Sequence, residues 1–310
     1  MKITFLDAAT LGSDVSLDPI ARLGELVCWQ TSSPEEALAR VSDCDVLIVN
    51  KVRVTPQLID AGANLRLICE AATGVNNIDI EYAASKGIPV RNVAGYSTES
   101  VVQSTFMHML NLIGHLPYYD GKVKSGKYSW SGLFTDVTLP FFELAGKTIG
   151  IVGMGTIGHR VAQVAEAFGM KAIYFSTSGT SHCHDYPSVP LDELMAVSDV
   201  VSVHAPLNDR TAGLIGEKEL SLMKPQAVIL NMGRGGIVDE AALAKAVDDG
   251  VIAGAGIDVY SVEPLNVANP LSKVKHQERL SLTPHTAWAS VEARTRLVDK
   301  IAANIAMGWQ

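Results

Sequence analysis

Apolar and polar positions alternate along this chain in short blocks. Runs at 3–7, 26–29, 46–49, 67–70 and 89–91 are continuously apolar or mixed and read as strands, with helical stretches between them. One such helix spans Ser33 to Val41, with Pro34 at its first position and Glu35 and Glu36 in its first turn. Another spans Asp79 to Ser85 and ends at Gly87. This alternation predicts parallel sheets covered by helices on both faces.

The pattern changes after residue 97. Ser97 to Leu116 is apolar around much of a helical circumference, which predicts a helix buried or shared between domains or subunits. The stretch 117–145 then loses periodicity. It holds Gly121, Gly126, Gly132 and Pro140 among the aromatics Tyr118, Tyr119, Tyr128, Trp130, Phe134, Phe141 and Phe142. So long an irregular stretch needs a cover. It reads as an arm packing on a second subunit, in preference to a flap folded on its own chain.

Regular pattern resumes with an apolar strand, Thr148 to Val152, running into Gly153-Met154-Gly155-Thr156-Ile157-Gly158. Glycines at this spacing allow a tight turn, backbone approach to a pyrophosphate, and close packing of helix on strand. The following helix, marked by Val161, Val164, Ala165 and Phe168, aims its unpaired N–H groups at the phosphates. Gly169 ends it and a second strand, 172–175, follows, completing a βαβ unit that predicts dinucleotide binding. Further strands are read at 200–204, 227–231, 255–258 and 280–283. From Ser290, a tail places Leu297, Ile301 and Ile305 on one helical face, which is expected to return to the first domain. The expected division is 1–99 plus 286–310 as a substrate domain and 100–285 as the nucleotide domain, with substrate meeting cofactor in the cleft between them.

Composition narrows the class. A chain of 310 residues is long enough for two cores, and a net charge of −8 without a basic stripe argues against nucleic-acid binding. Cys28, Cys44, Cys69 and Cys183 are scattered without Cys-x-x-Cys spacing and read as free buried thiols of a reducing compartment. The tract His182-Cys183-His184 resembles a metal tract, but two histidines and a cysteine in a Ser/Thr-rich loop are too few ligands, so no metal is expected. No secretory leader and no membrane-length apolar run is read, and the expected location is the cytoplasm.

Four strand ends carry polar chemistry: His204-Ala205-Pro206-Leu207, Asn231-Met232-Gly233-Arg234-Gly235-Gly236, Asp258 through Glu263-Pro264, and Thr283-Pro284-His285-Thr286-Ala287-Trp288. In an open parallel sheet such ends face one crevice. Arg234, Glu263 and His285 form a minimal set for reducing a 2-keto acid. The guanidinium holds a carboxylate, the imidazolium gives a proton to the ketone oxygen, and the carboxylate orients the imidazole and favours its charged form. His204, between a strand and Pro206, reads as structural or as lining the cofactor.

These stretches, together with Ala72-Thr73-Gly74-Val75-Asn76-Asn77-Ile78-Asp79, resemble the D-isomer-specific 2-hydroxyacid dehydrogenases over nearly the full length of the chain. The resemblance implies a Rossmann domain inserted into a flavodoxin-like substrate domain, both α/β with doubly wound parallel sheets, in a homodimer. It implies that Arg234 binds the substrate carboxylate, that His285 is the acid/base, and that Glu263 supports it. By the same resemblance, Lys51, Thr73, Gly74, Val75 and Trp288 join Arg234 and His285 around the substrate. The cofactor would meet the glycine loop, Ser176, Thr177, His204, Ala205, Pro206, Thr211, Asn231, Met232, Gly233, Asp258 and Ala287, with Asp258 by the nicotinamide carboxamide. Asn50-Lys51-Val52 and the residues from His285 to Ser290 are most similar to glycerate dehydrogenases, that is, hydroxypyruvate reductases, with glyoxylate a further candidate substrate.

One departure concerns the cofactor. The position that carries an acid in NAD-preferring sites falls on Ser176, within Ser176-Thr177-Ser178-Gly179-Thr180-Ser181. No carboxylate stands there to repel a 2′-phosphate, and no Arg or Lys follows in that loop to attract one. Both NAD and NADP are therefore expected to serve, NAD mildly favoured. Two other readings are a dinucleotide-sensing protein with vestigial turnover and a methyltransferase. The complete Arg/Glu/His set argues against the first. The second leaves the later strand ends unexplained.

Overall fold

The structure is a computed structural model that describes residues 1–308. It divides into two compact units, Met1–Ser97 with the tail from Ala289, and Thr98–Trp288. The cuts thus fall at 97/98 and 288/289 rather than at 99/100 and 285/286.

The first unit is a five-stranded parallel sheet made of β1 (Lys2–Phe5), β2 (Glu25–Cys28), β3 (Val46–Val49), β4 (Leu67–Glu70) and β5 (Val90–Arg91), in the order β2-β1-β3-β4-β5. β3 and β4 are buried along their whole length; β3 is apolar throughout, and β4 is apolar up to its terminal Glu70. Polar caps punctuate the helices between strands. Ser33 and Glu36 form a reciprocal capping box on the helix Pro34–Val41, and the Asp79 side chain accepts from the N–H of Tyr82 to start Ile80–Ser85. The tail forms Val291–Ala306, whose Leu297, Ile301 and Ile305 are buried against this unit's own elements. Arg294 Nη2 fastens it to Asp14 Oδ2 at 2.8 Å.

The second unit is a six-stranded parallel sheet of β6 (Thr148–Val152), β7 (Lys171–Phe175), β8 (Val200–Val203), β9 (Val228–Asn231), β10 (Gly254–Ile257) and β11 (Leu280–Leu282), ordered β11-β10-β9-β8-β6-β7. From β6 the chain steps outward to β7 and then returns to the other side of β6 as β8. The switch point between β6 and β8 opens a crevice at their carboxyl ends. β1 and β3 make the equivalent switch in the first unit.

The expected helix of 97–116 is two helices, Thr98–Gly114 and Leu116–Lys124. His115 between them adopts φ 50°, which breaks the hydrogen-bond ladder, and Pro117 sits in the first turn of the second helix, where its missing N–H is not needed. Part of the stretch read as irregular is therefore helical. Its remainder leaves Trp130, Phe134, Val137 and Leu133 exposed, the first two almost completely. No helix among the described residues is long and apolar enough to cross a membrane.

Candidate active site

Each glycine of the loop after β6 has a separate physical reason. Gly153 has φ 95°, and a Cβ there would lie 2.9 Å from the Ala205 backbone. A Cβ on Gly158 would lie 2.3 Å from the Gly153 carbonyl oxygen, so helix and strand are in contact at that point. Gly155 is different, because a Cβ there would meet no protein atom within 4 Å. It caps the twelve-residue helix Thr156–Ala167 without a side-chain bond. Open space at a free helix N-terminus fits a pyrophosphate, and Met154, Thr156 and Ile157 lie beside Gly155 at that terminus.

Beyond β7 the chain folds into a small hydroxyl-rich loop. Ser176 Oγ donates to the Thr180 carbonyl at 2.6 Å, and Ser178 Oγ donates to the same carbonyl at 2.9 Å. Across the switch point, the turn after β8 is held by Thr211, whose buried hydroxyl donates to the Pro206 carbonyl at 2.6 Å and accepts from the Asn208 N–H at 2.9 Å. From this turn Arg210 Nη1 reaches over and donates to the Ser178 carbonyl at 2.6 Å. The loop itself carries no Arg or Lys, as read from the sequence, but a cation reaches it from outside. Local sequence could not show it, because Arg210 comes from thirty-two positions downstream.

His204 is half-buried, with Nε2 on Ser202 Oγ at 2.8 Å and its Nδ1 buried and unpartnered. Burial pushes its pKa down to about 4, so it is neutral and suits a structural rather than an acidic role.

Three neighbouring strands, β9, β10 and β11, deliver the reactive side chains. After β9, Asn231 shapes the turn: its Oδ1 accepts from the Gly233 N–H at 3.1 Å, and its Nδ2 donates to the Arg234 carbonyl at 3.0 Å. Arg234 Nη1 folds back to the Gly233 carbonyl at 2.8 Å. A Cβ on Gly235 would stand 1.9 Å from the Tyr260 carbonyl carbon, so this turn lies directly against the segment after β10. That segment brings Glu263, whose Oε1 accepts from the Tyr260 N–H at 3.0 Å. Glu263 Oε2 then meets His285 Nδ1 at 2.7 Å. His285 has a left-handed backbone, φ 55°, and its N–H donates to the carbonyls of Asp258, at 2.8 Å, and Thr283, at 3.1 Å.

Asp258 plays a larger part than its expected place by the carboxamide. Its buried carboxylate accepts from Thr283 Oγ1 at 2.6 Å, from the Thr286 N–H at 2.8 Å and from the Ala287 N–H at 3.0 Å. It therefore fastens the loop that carries His285. Behind it, buried His108 on the inner face of the helix Thr98–Gly114 has Nε2 on Thr283 Oγ1 at 3.0 Å and Nδ1 on Ser281 Oγ at 2.8 Å, its pKa lowered by burial. Sequence reading missed His108 and Tyr260, which there resemble ordinary core residues. Met232 and Ala287 are buried beside these turns, and Trp288 is half-buried.

In the first unit, Asp7 accepts from the N–H groups of Asn50, Lys51 and Val52 and so shapes the turn after β3, leaving Lys51 exposed. Thr73, Gly74 and Val75 form the turn after β4. It is pinned by Thr73 Oγ1 on the Val93 carbonyl at 3.0 Å and by Asn77 Nδ2 on the Val52 carbonyl at 3.1 Å. Beneath it lies Glu70, completely buried, with Oε2 accepting from Asn77 Nδ2 at 3.0 Å and Oε1 unpartnered. Burial raises its pKa to about 8 against the Asn77 hydrogen bond, with the Asp7 charge adding to the rise and Lys51 opposing it.

All four cysteines are free, but Cys28 is exposed and Cys183 half-buried, contrary to the expectation of buried thiols throughout. Cys183 groups with His159 and Asp185 rather than with His182 and His184, and His159 Nε2 lies 2.9 Å from Asp185 Oδ2.

Comparison with known proteins supplies the family. The model of the D-isomer specific 2-hydroxyacid dehydrogenase NAD-binding domain matches residues 106–287. The chain is 34% identical to a hydroxypyruvate reductase of Blautia hydrogenotrophica, covering 98% of this chain and 95% of that one. It is 36% identical to a glycerate dehydrogenase of Methylorubrum extorquens over the same shares. Among solved structures, an NADPH-dependent glyoxylate/hydroxypyruvate reductase of Sinorhizobium meliloti superposes with a TM-score of 0.84 at 29% identity, covering 98% of this chain and 93% of that one.

Proposed function

The chain belongs to the D-isomer specific 2-hydroxyacid dehydrogenases, nicotinamide-dependent oxidoreductases, and from that premise we propose that it reduces a small 2-keto acid by way of Arg234, Glu263 and His285. The observation that carries the residue assignment is the 2.7 Å Glu263–His285 pair, on the segments after β10 and β11, with Arg234 in the turn after β9, the strand beside β10. With Nδ1 held by Glu263, the imidazole presents Nε2 to a ketone oxygen and gives it a proton. The nicotinamide, when bound, supplies the hydride. Arg234 holds the substrate carboxylate in its planar fork and draws electron density from the adjacent carbonyl. Asp258 and Asn231 keep the two turns in place. For the first unit, the proposal keeps Lys51, Thr73, Gly74 and Val75 as substrate-facing residues, supported by their position at the carboxyl ends of β3 and β4.

Hydroxypyruvate and glyoxylate are the proposed substrates and glycerate the product to examine first, in keeping with the names of the relatives. NAD and NADP are both admitted by the glycine loop. The proposal also includes a homodimer, supported by the exposed apolar arm of 117–145, and a cytoplasmic location, supported by four free thiols. Neither a nucleic acid nor a membrane is assigned as a partner. Turnover of a panel of 2-keto acids with each reduced cofactor tests the reading. Small keto acids should be reduced, and Arg234→Lys should lose most of that activity, because a point charge cannot reproduce a bidentate fork. Cofactor binding without reduction of any keto acid would favour the sensing protein instead.

A further inference from the structure

We propose that Arg210 is the cationic partner of a 2′-phosphate and that the site it forms with Ser176 and Ser178 selects NADP(H). The inference rests on the nicotinamide-cofactor reading and goes beyond it to the choice between the two cofactors. Two segments far apart in sequence meet here. The loop after β7 begins at Ser176, where the ribose 2′ position of a dinucleotide on the glycine loop is read. The turn after β8 lies across the switch point from it.

Arg210 is placed rather than loosely tethered. Its own N–H donates to Asn208 Oδ1 at 2.9 Å, and Thr211 is locked into the same turn by its buried hydroxyl. The side chain spends one N–H on the Ser178 carbonyl, which fixes the guanidinium against the loop and leaves further donors on the fork. No carboxylate pairs with Arg210 among the described residues. Gly179 adds to the fit. Its φ of 83° favours glycine, and a Cβ there would come within 3.3 Å of the Arg210 Nη1. Ser176 and Ser178 Oγ lie 3.1 Å apart, so two hydroxyls stand on the loop that the guanidinium holds. The guanidinium fork, with no acid at the ribose position, is a donor set for a phosphate dianion, and each hydroxyl joins it by turning its one O–H away from the Thr180 carbonyl. The mild preference for NAD expected from local sequence is therefore reversed.

Binding measured without turnover provides the test. Titration calorimetry with 2′,5′-ADP and with 5′-ADP isolates the 2′-phosphate, and fluorescence titration with NADPH and NADH extends it to whole cofactors. The parent should bind each 2′-phosphorylated ligand more tightly than its counterpart. Arg210→Gln should weaken 2′,5′-ADP and NADPH by about tenfold to a hundredfold while leaving 5′-ADP and NADH within about twofold. Raised salt should erode the parent's preference but not the variant's. An equal loss for both ligand classes would make Arg210 a structural loop tie, and no loss would remove it from the site; either overturns the proposal. If the parent bound none of the four ligands, the dinucleotide reading itself would fail, a result distinct from failure at Arg210.

Discussion

Glu70→Gln should make the first unit more stable at neutral and alkaline pH while leaving it unchanged in acid. In the fold the Glu70 carboxyl holds its proton up to about pH 8, because burial at the end of β4 penalises the carboxylate. In the unfolded chain it ionises near 4.5. Between those values the folded state binds a proton that the unfolded state has released, so stability falls as pH rises and levels off above about 8. At about 1.4 kcal/mol per pH interval, the penalty reaches about 3 kcal/mol at pH 7 and about 5 kcal/mol above pH 8. Glutamine keeps an acceptor for Asn77 and has no charge to bury, so that slope should disappear. Hydrogen-exchange mass spectrometry on peptides covering β3 and β4, from about pH 5 to about pH 9 and corrected for intrinsic exchange rates, reads it locally. Parallel pH slopes for parent and variant would show that Glu70 is ionised in the fold, and the reasoning would be wrong.

The remaining predictions concern the second unit. His285→Asn, a residue that tolerates the left-handed backbone, should keep NAD(P)H affinity but lose about a hundredfold to ten-thousandfold in turnover; near-normal turnover would remove His285 from the chemistry. Gly155→Ala meets no protein neighbour, so thermal unfolding should change by less than about 1 kcal/mol while dinucleotide affinity, by fluorescence titration, falls more than about tenfold. Gly235→Ala should behave in the opposite way. Its Cβ would collide with the Tyr260 backbone, costing about 1–3 kcal/mol or more in urea unfolding and disturbing Arg234.

Much of this architecture is legible in the sequence, for local reasons. The runs at 46–49, 67–70 and 148–152 match β3, β4 and β6 residue for residue, because buried parallel strands are apolar along most of their length. Helix starts at Ser33 and Asp79 follow from side chains that bond their own first turn. The glycine loop and the Arg234, Glu263 and His285 positions were readable because each sits at a strand end. What escaped was non-local or ambiguous. His115 carries no sequence mark of the left-handed turn that divides the long helix. Arg210 and Ser178 meet only because the sheet reverses its strand order between them. Asp258 was expected beside a ligand, and its three bonds to the 283–287 loop depend on β10 and β11 being neighbours. His108 lies in an apolar helix, where a histidine gives no periodic signal of the Thr283 hydroxyl it meets.

The backbone of His285 has a consequence for how this sequence responds to selection. A side chain larger than glycine or asparagine at φ 55° carries local strain, on the order of 1 kcal/mol, which the two bonds from its N–H help to hold in place. Glycine would relieve that strain. A search rewarding only resistance to heat or denaturant would therefore drift away from histidine here, taking the proton donor with it. Robustness and reactivity pull in opposite directions at this one position, and laboratory evolution of the protein needs a catalytic screen alongside any thermal one.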